Sequence, residues 1–381
     1  MAKYSSLCYV VSSEMTVQAF LKDHIAAATA AGYKVSVVAN TSDGNFLRGL
    51  GLTAEFHSVA IVRPISPLRD AMALLLLIQL FRAERFDIVH SVSPKAGMLA
   101  MLAGRLCGIS HCVHTFTGQV WVTKSGWKRW LLKQADCILA ALTTRSLVDS
   151  PSQRDYLVAE RVIAAEKAEV IGKGAICGVD GDRFRPNHEV RLAVRGELGI
   201  PQQAPLVLFL GRLNRDKGVL DLAKAFAIIA LRFTDARLLI VGPDEGGLGK
   251  CIAEICDGVA TRVHFVGYTH HPERFMASSD IFCLPSYREG FGMVIIEAAA
   301  TGLPAVASRI YGITDAVVDG RTGILHPPGD VAAVAEKLTT LLSNPEHCVA
   351  MGTEARRRAL ADFSRLALSQ GLLDFYSRMK N

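Results

Sequence analysis

Short apolar segments alternate with longer segments of helix-forming residues along most of the chain, and this order constrains the fold more than any other feature. Each short segment is typical of a buried strand. Strands that alternate with helices form parallel sheets, because each connection must cross back over one face of the sheet. The sequence therefore predicts α/β domains with helices on both faces of each sheet. The predicted strands of the first half are residues 7–12, 34–40, 53–60, 87–92, 111–116, 146–150 and 169–172.

A glycine-rich stretch at residues 172–180 interrupts this alternation. A chain of 381 residues is long enough for two domains, each with its own core. We therefore predict two Rossmann-like domains, residues 1–176 and 177–363, followed by an amphipathic helix at residues 364–381. The predicted strands of the second half are residues 206–210, 237–241, 263–266, 280–284 and 304–308.

The composition indicates a globular protein of the cytoplasm. Half of the residues are hydrophobic, which is enough for a core in each domain. The nine cysteines are scattered without a Cys-x-x-Cys pair, which predicts reduced thiols in the cytosol. We expect no signal peptide, and the longest apolar run, residues 71–81, is too short to span a bilayer. The protein is therefore predicted to be soluble or peripheral to a membrane.

The segment of residues 286–302 carries the most chemical information in the chain. It joins a predicted strand to a predicted helix through a turn that contains Gly290 and Gly292. Glycine lets the backbone approach a ligand closely, and the first N–H groups of the helix point into the turn. Glu289 precedes the turn and Glu297 follows it within the helix, so the two carboxylates can contact an elongated ligand at two points. The segment predicts a site for an anionic or hydroxyl-rich ligand.

Two basic residues follow the first predicted strand of the second half. Arg212 comes directly after Gly211, and Lys217 comes before Gly218 and a predicted helix. Ligands of open α/β sheets bind beyond the carboxyl ends of the strands, where these cations should lie. Arginine can bind phosphate oxygens through two hydrogen bonds, and lysine adds a compact charge. Positive charge is unfavourable at the start of a helix, so we interpret the pair as a diphosphate site.

Two patterns in the chain could bind a metal, and we interpret neither as a metal site. His114 ends a predicted strand, and His111 is three residues away, so the two rings point to opposite faces of the strand. Asp180 and Asp182 form an Asp-x-Asp pattern, but they lie in the predicted hinge. No Gly-x-Gly-x-x-Gly follows the first strand, which argues against a dinucleotide-dependent dehydrogenase. We therefore predict no metal and no cofactor.

The Glu-x7-Glu spacing, with Gly-Phe-Gly after the first glutamate, resembles the nucleotide-sugar site of the retaining GT-B glycosyltransferases of family 4. The basic pair and the hinge fall in the order expected of that family, and the resemblance covers nearly the whole chain. It implies an α/β protein of the GT-B class, with two Rossmann-like domains facing each other across a cleft. It also implies an acceptor-binding first domain, a nucleotide-sugar-binding second domain, and a final helix that returns to the first domain.

The resemblance further implies roles for individual residues. Arg212 and Lys217 would stabilise the leaving diphosphate. Glu289 would hold sugar hydroxyls, and Glu297 would hold the ribose. His114 matches a family histidine that faces the donor sugar, so it joins Arg212, Lys217 and Glu289 as a predicted catalytic residue. The remaining predicted donor contacts are Gly211, Val266, Gly290, Phe291, Gly292, Met293 and Val294.

Residues 93–97, 114–121 and 172–174 resemble bacterial enzymes that build capsule, O-antigen or other lipid-linked glycans. This likeness implies transfer of a sugar from a nucleotide-sugar, expected to be a UDP-sugar, to a polyprenyl-diphosphate-linked acceptor. The family implies retention of configuration and no metal. Two alternatives stay open, namely a GT-B-shaped UDP-sugar 2-epimerase and a non-catalytic nucleotide-sugar-binding subunit. No nucleic-acid partner is expected.

A cluster of tryptophans and cations predicts attachment to an anionic membrane surface on the inner face of the cytoplasmic membrane. All three tryptophans of the chain lie within residues 121–130, and residues 88–135 contain no acidic side chain. Tryptophan prefers the headgroup level, and cations are attracted to anionic lipid. The alternative is a core helix whose tryptophans pack on the sheet. The predicted membrane and acceptor patch consists of Lys95, Trp121, Lys124, Trp127, Lys128, Arg129, Trp130 and Lys133.

Overall fold

The computed structural model describes residues 6–62 and 64–379. The chain divides into two compact units. Unit 1 comprises the chain up to Gly178 and again from Arg365, and unit 2 comprises Val179–Ser364. Each unit is a parallel sheet covered by helices, so the predicted α/β class is confirmed.

Unit 1 contains a seven-stranded parallel sheet in the order β3-β2-β1-β4-β5-β6-β7. Successive strands leave β1 towards β3 and then restart beside β1 at β4, so the sheet has a switch point between β1 and β4. The strands are β1 (Ser6–Val10), β2 (Lys34–Ala39), β3 (Glu55–Ser58), β4 (Ile88–Val92), β5 (His111–Phe116), β6 (Arg145–Val148) and β7 (Ala168–Glu169). The helices are α1 (Glu14–Thr16), α2 (Lys22–Ala30), α3 (Phe46–Gly49), α4 (Pro67–Glu84), α5 (Pro94–Leu106), α6 (Gly126–Leu142) and α7 (Pro151–Ala159).

The unit 1 sheet is buried on both faces at its centre, where β1 is apolar at nearly every position. In β1, Cys8 and Val10 pack into the core beneath α4 and α5, while Leu7 and Tyr9 pack into the core on the opposite face. All four side chains are inaccessible to solvent. This continuous burial is what a parallel sheet between two helix layers requires.

Unit 2 contains a six-stranded parallel sheet in the order β10-β9-β8-β11-β12-β13, with its switch point between β8 and β11. The strands are β8 (Leu206–Leu210), β9 (Arg237–Val241), β10 (Val263–Gly267), β11 (Ile281–Leu284), β12 (Ala305–Ser308) and β13 (Gly323–His326). The helices are α8 (His188–Glu197), α9 (Val219–Ile229), α10 (Leu248–Ile255), α11 (Pro272–Ser278), α12 (Met293–Ala300), α13 (Ile313–Ala316), α14 (Val331–Leu342) and α15 (Pro345–Asp362).

The last helix, α16 (Arg365–Arg378), belongs to unit 1 and packs beside α2. Its apolar side buries Phe375 and Tyr376 in the core. The hydroxyl of Tyr376 donates to the hydroxyl of Tyr9 over 3.1 Å, and His24 Nδ1 lies 3.1 Å from the hydroxyl of Ser369. Both apolar contacts and buried hydrogen bonds therefore hold this helix on unit 1.

Several elements of unit 2 were not predicted, namely β13, α8, α11, α13, α14 and α15. Two of them carry readable start signals. The carboxylate of Asp330 accepts from the N–H of Ala333 at the start of α14. The amide oxygen of Asn344 accepts from the N–H of His347 at the start of α15, where Pro345 is the first residue.

Candidate active site

The switch point of unit 2 brings together residues from two loops. The chain after β8 supplies Arg212 and Lys217, and the chain after β11 supplies Ser286 and Glu289. Connections that leave β8 and β11 run to opposite sides of the sheet, which opens a crevice at the carboxyl ends of these strands. We call Arg212, Lys217, Ser286 and Glu289 the switch-point site.

The two loops approach each other through Gly218. This residue has φ of +67°, and a Cβ atom there would lie 1.9 Å from the carbonyl oxygen of Pro285. The N–H of Tyr287 donates to the carbonyl oxygen of Asp216 over 2.8 Å, which fixes the contact. Only glycine satisfies both the backbone angle and the available space. Gly218 therefore sets the separation between Lys217 and Glu289.

Lys217 and Glu289 form the centre of the switch-point site. The ammonium of Lys217 donates to Oε1 of Glu289 over 2.5 Å, and both side chains are largely buried. The hydroxyl of Ser286 donates to the same oxygen over 2.8 Å. Asn214 holds the turn before Lys217 by accepting from its N–H over 3.2 Å. The second carboxylate oxygen of Glu289 has no partner among the described residues, so it can accept from a ligand hydroxyl.

Arg212 also lies beyond the carboxyl end of β8, and its side chain faces solvent. Its guanidinium forms an ion pair with Glu245 at 3.0 Å, and 46% of its side chain is exposed. Gly242 lets the neighbouring strand end lie against the backbone of Gly211, because a Cβ atom at Gly242 would be 1.9 Å from the carbonyl oxygen of Gly211. An anionic ligand would compete with Glu245 for the guanidinium. Sequence reasoning missed Glu245 and Ser286, which partner the predicted residues.

The Gly-Phe-Gly turn leads directly into α12. Gly292 has φ of +83° at the start of the helix, and Met293 and Val294 form the half-buried first turn. The ring of Phe291 is buried and packs on Phe363, with 5.2 Å between ring centroids. Phe291 can therefore present only its backbone to a ligand, and its side chain anchors the turn. Gly290 lies against Gly312, where a Cβ atom would be 2.2 Å from the carbonyl oxygen of Gly290.

Glu297 lies one turn further along α12 and is half-buried. Burial raises the pKa of its carboxyl to about 7, although the charge of Arg183 acts in the opposite direction. Arg183 itself pairs with Glu273 at 2.8 Å. Val266, in the edge strand β10, is separated from β8 by β9 and is not part of the switch-point site.

His114 lies in β5 of unit 1 and is buried. Its Nδ1 is 2.8 Å from the hydroxyl of Ser91, and its ring meets the ring of Phe116 edge-on at 4.6 Å. Gly97 lies over the ring so closely that a Cβ atom would be 2.5 Å from Cε1. Burial lowers the pKa of His114 to about 3, so the imidazole is neutral near pH 7. Nε2 has no partner in the described part of the chain and is the nitrogen left for a ligand.

The switch point of unit 1 lies between β1 and β4, and β4 is the neighbour of β5, the strand that contains His114. Ser93 follows β4 with φ of 79° and ψ of 138°, a conformation that L-residues rarely adopt. Its hydroxyl donates to the hydroxyl of Ser12, which follows β1, over 3.2 Å. Strained backbone of this kind often marks a ligand site. Ser93 lies in the segment 93–97 that carries the resemblance, but neither serine was assigned to a site from the sequence.

The structure corrects the role predicted for Trp121. Only 1% of this side chain is exposed, and its indole N–H donates to the carboxylate of Asp136 over 2.8 Å. The ring stacks on Tyr156, with 5.7 Å between centroids. The prediction that Trp121 belongs to a surface patch is wrong, because its side chain is part of the hydrophobic core of unit 1.

The other two tryptophans lie on the surface of α6. Trp127 is 70% exposed and Trp130 is 63% exposed, so the alternative of a helix whose tryptophans all pack on the sheet is also wrong. Lys124 and Lys128 are exposed beside them.

Three other predicted cations of the patch are paired with two carboxylates of unit 1. Arg129 and Lys133 both pair with Glu160, at 3.0 and 2.6 Å. Lys95 pairs with Asp70 at 2.6 Å. The positive charge of this surface is therefore smaller than the sequence suggested.

In the Asp-x-Asp pattern, the carboxylate of Asp180 forms hydrogen bonds with backbone N–H groups. Oδ1 of Asp180 accepts from the N–H groups of Asp182 and Arg183 over 3.0 and 3.3 Å, which makes a local turn. Within residues 6–62 and 64–379, no three histidine, cysteine or acidic side chains lie close enough together to hold a metal ion. In the same part of the chain, no helix is both long and apolar enough to cross a bilayer.

Solved structures with the same two-unit architecture show the fold of this protein. A sucrose-phosphate synthase from Thermosynechococcus elongatus superposes with a TM-score of 0.82 at 22% identity, and the match covers 99% of both chains. HepE of Anabaena, solved with UDP, superposes with a TM-score of 0.80 at 20% identity and covers 98% of this chain and 100% of its own. The fold is GT-B, as predicted.

Sequence comparison then identifies the family. The profile described as glycosyl transferases group 1 matches residues 190–358, and that described as glycosyl transferase 4-like domain matches residues 16–174. A D-inositol 3-phosphate glycosyltransferase of Nocardia farcinica is 31% identical over 369 residues, covering 86% of this chain and 81% of its own. CapM, a capsular polysaccharide biosynthesis glycosyltransferase of Staphylococcus aureus, is 27% identical over 325 residues, covering 84% of each chain. The chain belongs to the group 1 glycosyltransferases.

Proposed function

We propose that the protein transfers a sugar from a UDP-sugar to a polyprenyl-diphosphate-linked acceptor, with retention of configuration and without a metal. The switch-point site carries this proposal, since Arg212, Lys217 and Glu289 follow β8 and β11 at their carboxyl ends, where open α/β sheets bind ligands. A UDP donor is supported by HepE, which has been solved with UDP and with UDP-glucose. A role in surface polysaccharide synthesis is supported by CapM, whose name states that activity.

The proposed chemistry assigns the leaving group to the two cations. When the bond between the sugar and the diphosphate breaks, negative charge grows on the phosphate oxygens. Arg212 and Lys217 stabilise that charge, because cations placed where negative charge develops lower the barrier to its formation. The acceptor hydroxyl attacks from the face that the nucleotide leaves and gives its proton to the departing phosphate oxygen, which retains the configuration.

The remaining predicted residues orient the donor. Glu289 accepts from sugar hydroxyls through the carboxylate oxygen that Lys217 and Ser286 do not use. Glu297 accepts from the ribose, and the neutral ring of His114 bonds the sugar through Nε2. In this proposal unit 2 binds the donor and unit 1 binds the acceptor.

The test is a transfer assay with UDP-sugars and polyprenyl-diphosphate-linked glycans. We expect product whose anomeric configuration, read by NMR, matches the donor, and a rate unchanged by EDTA. Epimerised donor formed without acceptor would support the 2-epimerase instead. Donor binding without transfer to any acceptor would support a non-catalytic subunit. A rate that falls with EDTA and returns with Mg²⁺ would contradict the metal-free mechanism.

Attachment to an anionic membrane is part of the proposal, because a polyprenyl-linked acceptor stays at the bilayer surface. Two helices of unit 1 support it. On α6, Trp127 and Trp130 are exposed beside Lys124 and Lys128. On α4, the exposed apolar side chains include Leu68, which is 87% exposed.

Both helices pack against α5, so they belong to the same helix layer of unit 1. Exposed apolar side chains together with cations are the composition of an interfacial anchor. At about 1 kcal/mol per cation near an anionic surface, Lys124 and Lys128 contribute about 2 kcal/mol. The apolar side chains must supply the rest of the binding energy.

Vesicle sedimentation tests the attachment. We expect the protein to bind vesicles of anionic lipid, and Trp127→Ser with Trp130→Ser to weaken binding at least about tenfold, which corresponds to about 1.4 kcal/mol. The matched control is Ile228→Ser with Leu231→Ser, two exposed apolar residues of unit 2. Equal losses in both double variants, or no binding by the wild type at low salt, would contradict the attachment.

A further inference from the structure

A cavity opens at the amino ends of the strands of the unit 2 sheet, opposite the switch-point site. Its volume is about 710 Å³, which lies within the range of roughly 300–1,000 Å³ typical of small-molecule sites. Residues at the amino ends of three strands line it, namely Pro205 before β8, Ile281 in β11 and Pro304 before β12. The switch-point site lies beyond the carboxyl ends of β8 and β11. The length of a strand, about 16 Å for five residues, therefore separates the two sites.

The cavity lining carries net positive charge. Asp280 is the acidic residue of the lining, and its carboxylate is already fully engaged. It accepts from Arg191 over 2.7 Å, from Arg195 over 2.9 Å and from the N–H of Leu206 over 2.8 Å. Two cations on one carboxylate leave an excess positive charge at this wall.

Arg356 of α15 adds a second, uncompensated cation to the lining. Its guanidinium forms no hydrogen bond or ion pair within residues 6–62 and 64–379, and its Nε is buried. Its neighbours on the same helix differ, since Arg357 pairs with Glu354 at 2.7 Å and Arg358 donates to the carbonyl oxygens of Asp315 and Ala316. A buried donor without a partner is unfavourable and calls for a ligand or water at that position.

The rest of the cavity suits a small organic molecule. Leu341, Leu342 and Val349 give it an apolar wall. The helices α8 and α15 both begin at its rim, so the positive ends of two helix dipoles lie beside the cavity. Positive charge next to an apolar wall favours an anionic ligand with a carbon body.

We infer that this cavity is a second ligand site, distinct from the switch-point site, which binds a small organic anion through Arg356. The ligand carries a phosphate or a carboxylate, either of which matches the planar donors of a guanidinium. Its body contacts the apolar wall at Leu341 and Val349.

Thermal unfolding with three probes tests this site: inorganic phosphate, glucose 1-phosphate and citrate, each at millimolar concentration. We expect at least one organic probe to raise the Tm of the wild type and of Arg212→Ala, in which the switch-point site is weakened. Arg356→Gln should bind that probe at least about tenfold more weakly. The matched control, Arg357→Gln, removes a charge one residue away and should bind as the wild type does. Comparing the phosphate and carboxylate probes identifies the anionic group.

Three outcomes would overturn the inference. No probe shifts the Tm of the wild type, or Arg356→Gln responds as Arg357→Gln does, or Arg212→Ala alone abolishes the response. If Arg356→Gln does not fold, Val349→Trp provides a second variant, because Val349 is an exposed wall residue that a larger side chain can extend over the cavity. An unchanged response in Val349→Trp would then also overturn the inference.

Discussion

Gly218→Ala tests whether the close contact of two loops builds the switch-point site. A Cβ atom at Gly218 would lie 1.9 Å from the carbonyl oxygen of Pro285, whereas such contacts essentially never fall below 3.0 Å. One of the loops must therefore move by about 1 Å. Lys217 precedes Gly218 in one loop, and Glu289 follows Pro285 in the other, so the movement separates the partners of the ion pair.

The expected loss has two parts. An alanine in the left-handed region costs about 1–2 kcal/mol. Forcing extra atoms into a packed contact costs about 1–3 kcal/mol more. We expect Gly218→Ala to lower the free energy of unfolding by about 2–5 kcal/mol in total. A displacement of about 1 Å at the site should also lower the turnover by about a hundredfold.

Gly199→Ala is the matched control. Gly199 has φ of +65°, close to that of Gly218, but no atom lies within 4 Å of the position of its Cβ. Gly199→Ala therefore places an alanine at positive φ without creating a steric clash. We expect a loss of about 1–2 kcal/mol of unfolding free energy and unchanged donor affinity.

Urea unfolding measures the loss of stability, a transfer assay measures the turnover, and calorimetric titration with UDP-glucose measures the donor affinity. The reasoning is refuted if the two variants lose equal stability and bind the nucleotide-sugar equally well. A loss of stability in Gly218→Ala without a loss of donor affinity would show that the loop contact stabilises the unit but does not position the site.

Two further predictions concern carboxyl groups whose pKa is raised by burial. Burial raises the pKa of Asp149 to about 8, and its Oδ1 has no partner among the described residues. The folded chain therefore keeps a proton that the unfolded chain loses near pH 4, so this group lowers stability as the pH rises from 4 to 8. Asp149→Asn should raise the Tm clearly at pH 8 and little at pH 4, and equal effects in scans at the two pH values would contradict this. Because Glu297 has a pKa of about 7, affinity for UDP-glucose should rise between pH 6 and 8. Glu297→Gln should remove that rise, and a pH profile unchanged in the variant would contradict the ribose contact.

Much of the fold could be predicted because a buried parallel strand needs a continuous apolar run, which is visible in sequence. The segment that became β8, Leu206–Leu210, is such a run. By contrast, β13 is a short edge strand, Gly323–His326, that begins with glycine and ends with histidine. Its position depends on pairing with β12, which a local pattern does not show.

The site was predictable where the chemistry is local and not where it depends on distant partners. The spacing of Glu289 and Glu297 can be read directly. The ion pair between Arg212 and Glu245 joins residues 33 positions apart, and only the fold brings them together. Likewise, nothing in the sequence distinguishes the buried Trp121 from the exposed Trp127, since the difference arises from how the chain before α6 packs on α7.

The central claim is that cations at the switch point hold the donor diphosphate, and calorimetric titration with UDP-glucose tests it most directly. Arg212→Ala and Lys217→Ala should each weaken binding at least about tenfold, since hydrogen bonds to charged groups contribute about 1.5–3 kcal/mol. Arg215→Ala is the charge-matched control, because Arg215 is exposed on the same turn as Lys217. We predict that Arg215→Ala changes the affinity by less than about threefold. Equal weakening by Arg215→Ala and Lys217→Ala, or wild-type affinity in Arg212→Ala and Lys217→Ala, would contradict the claim.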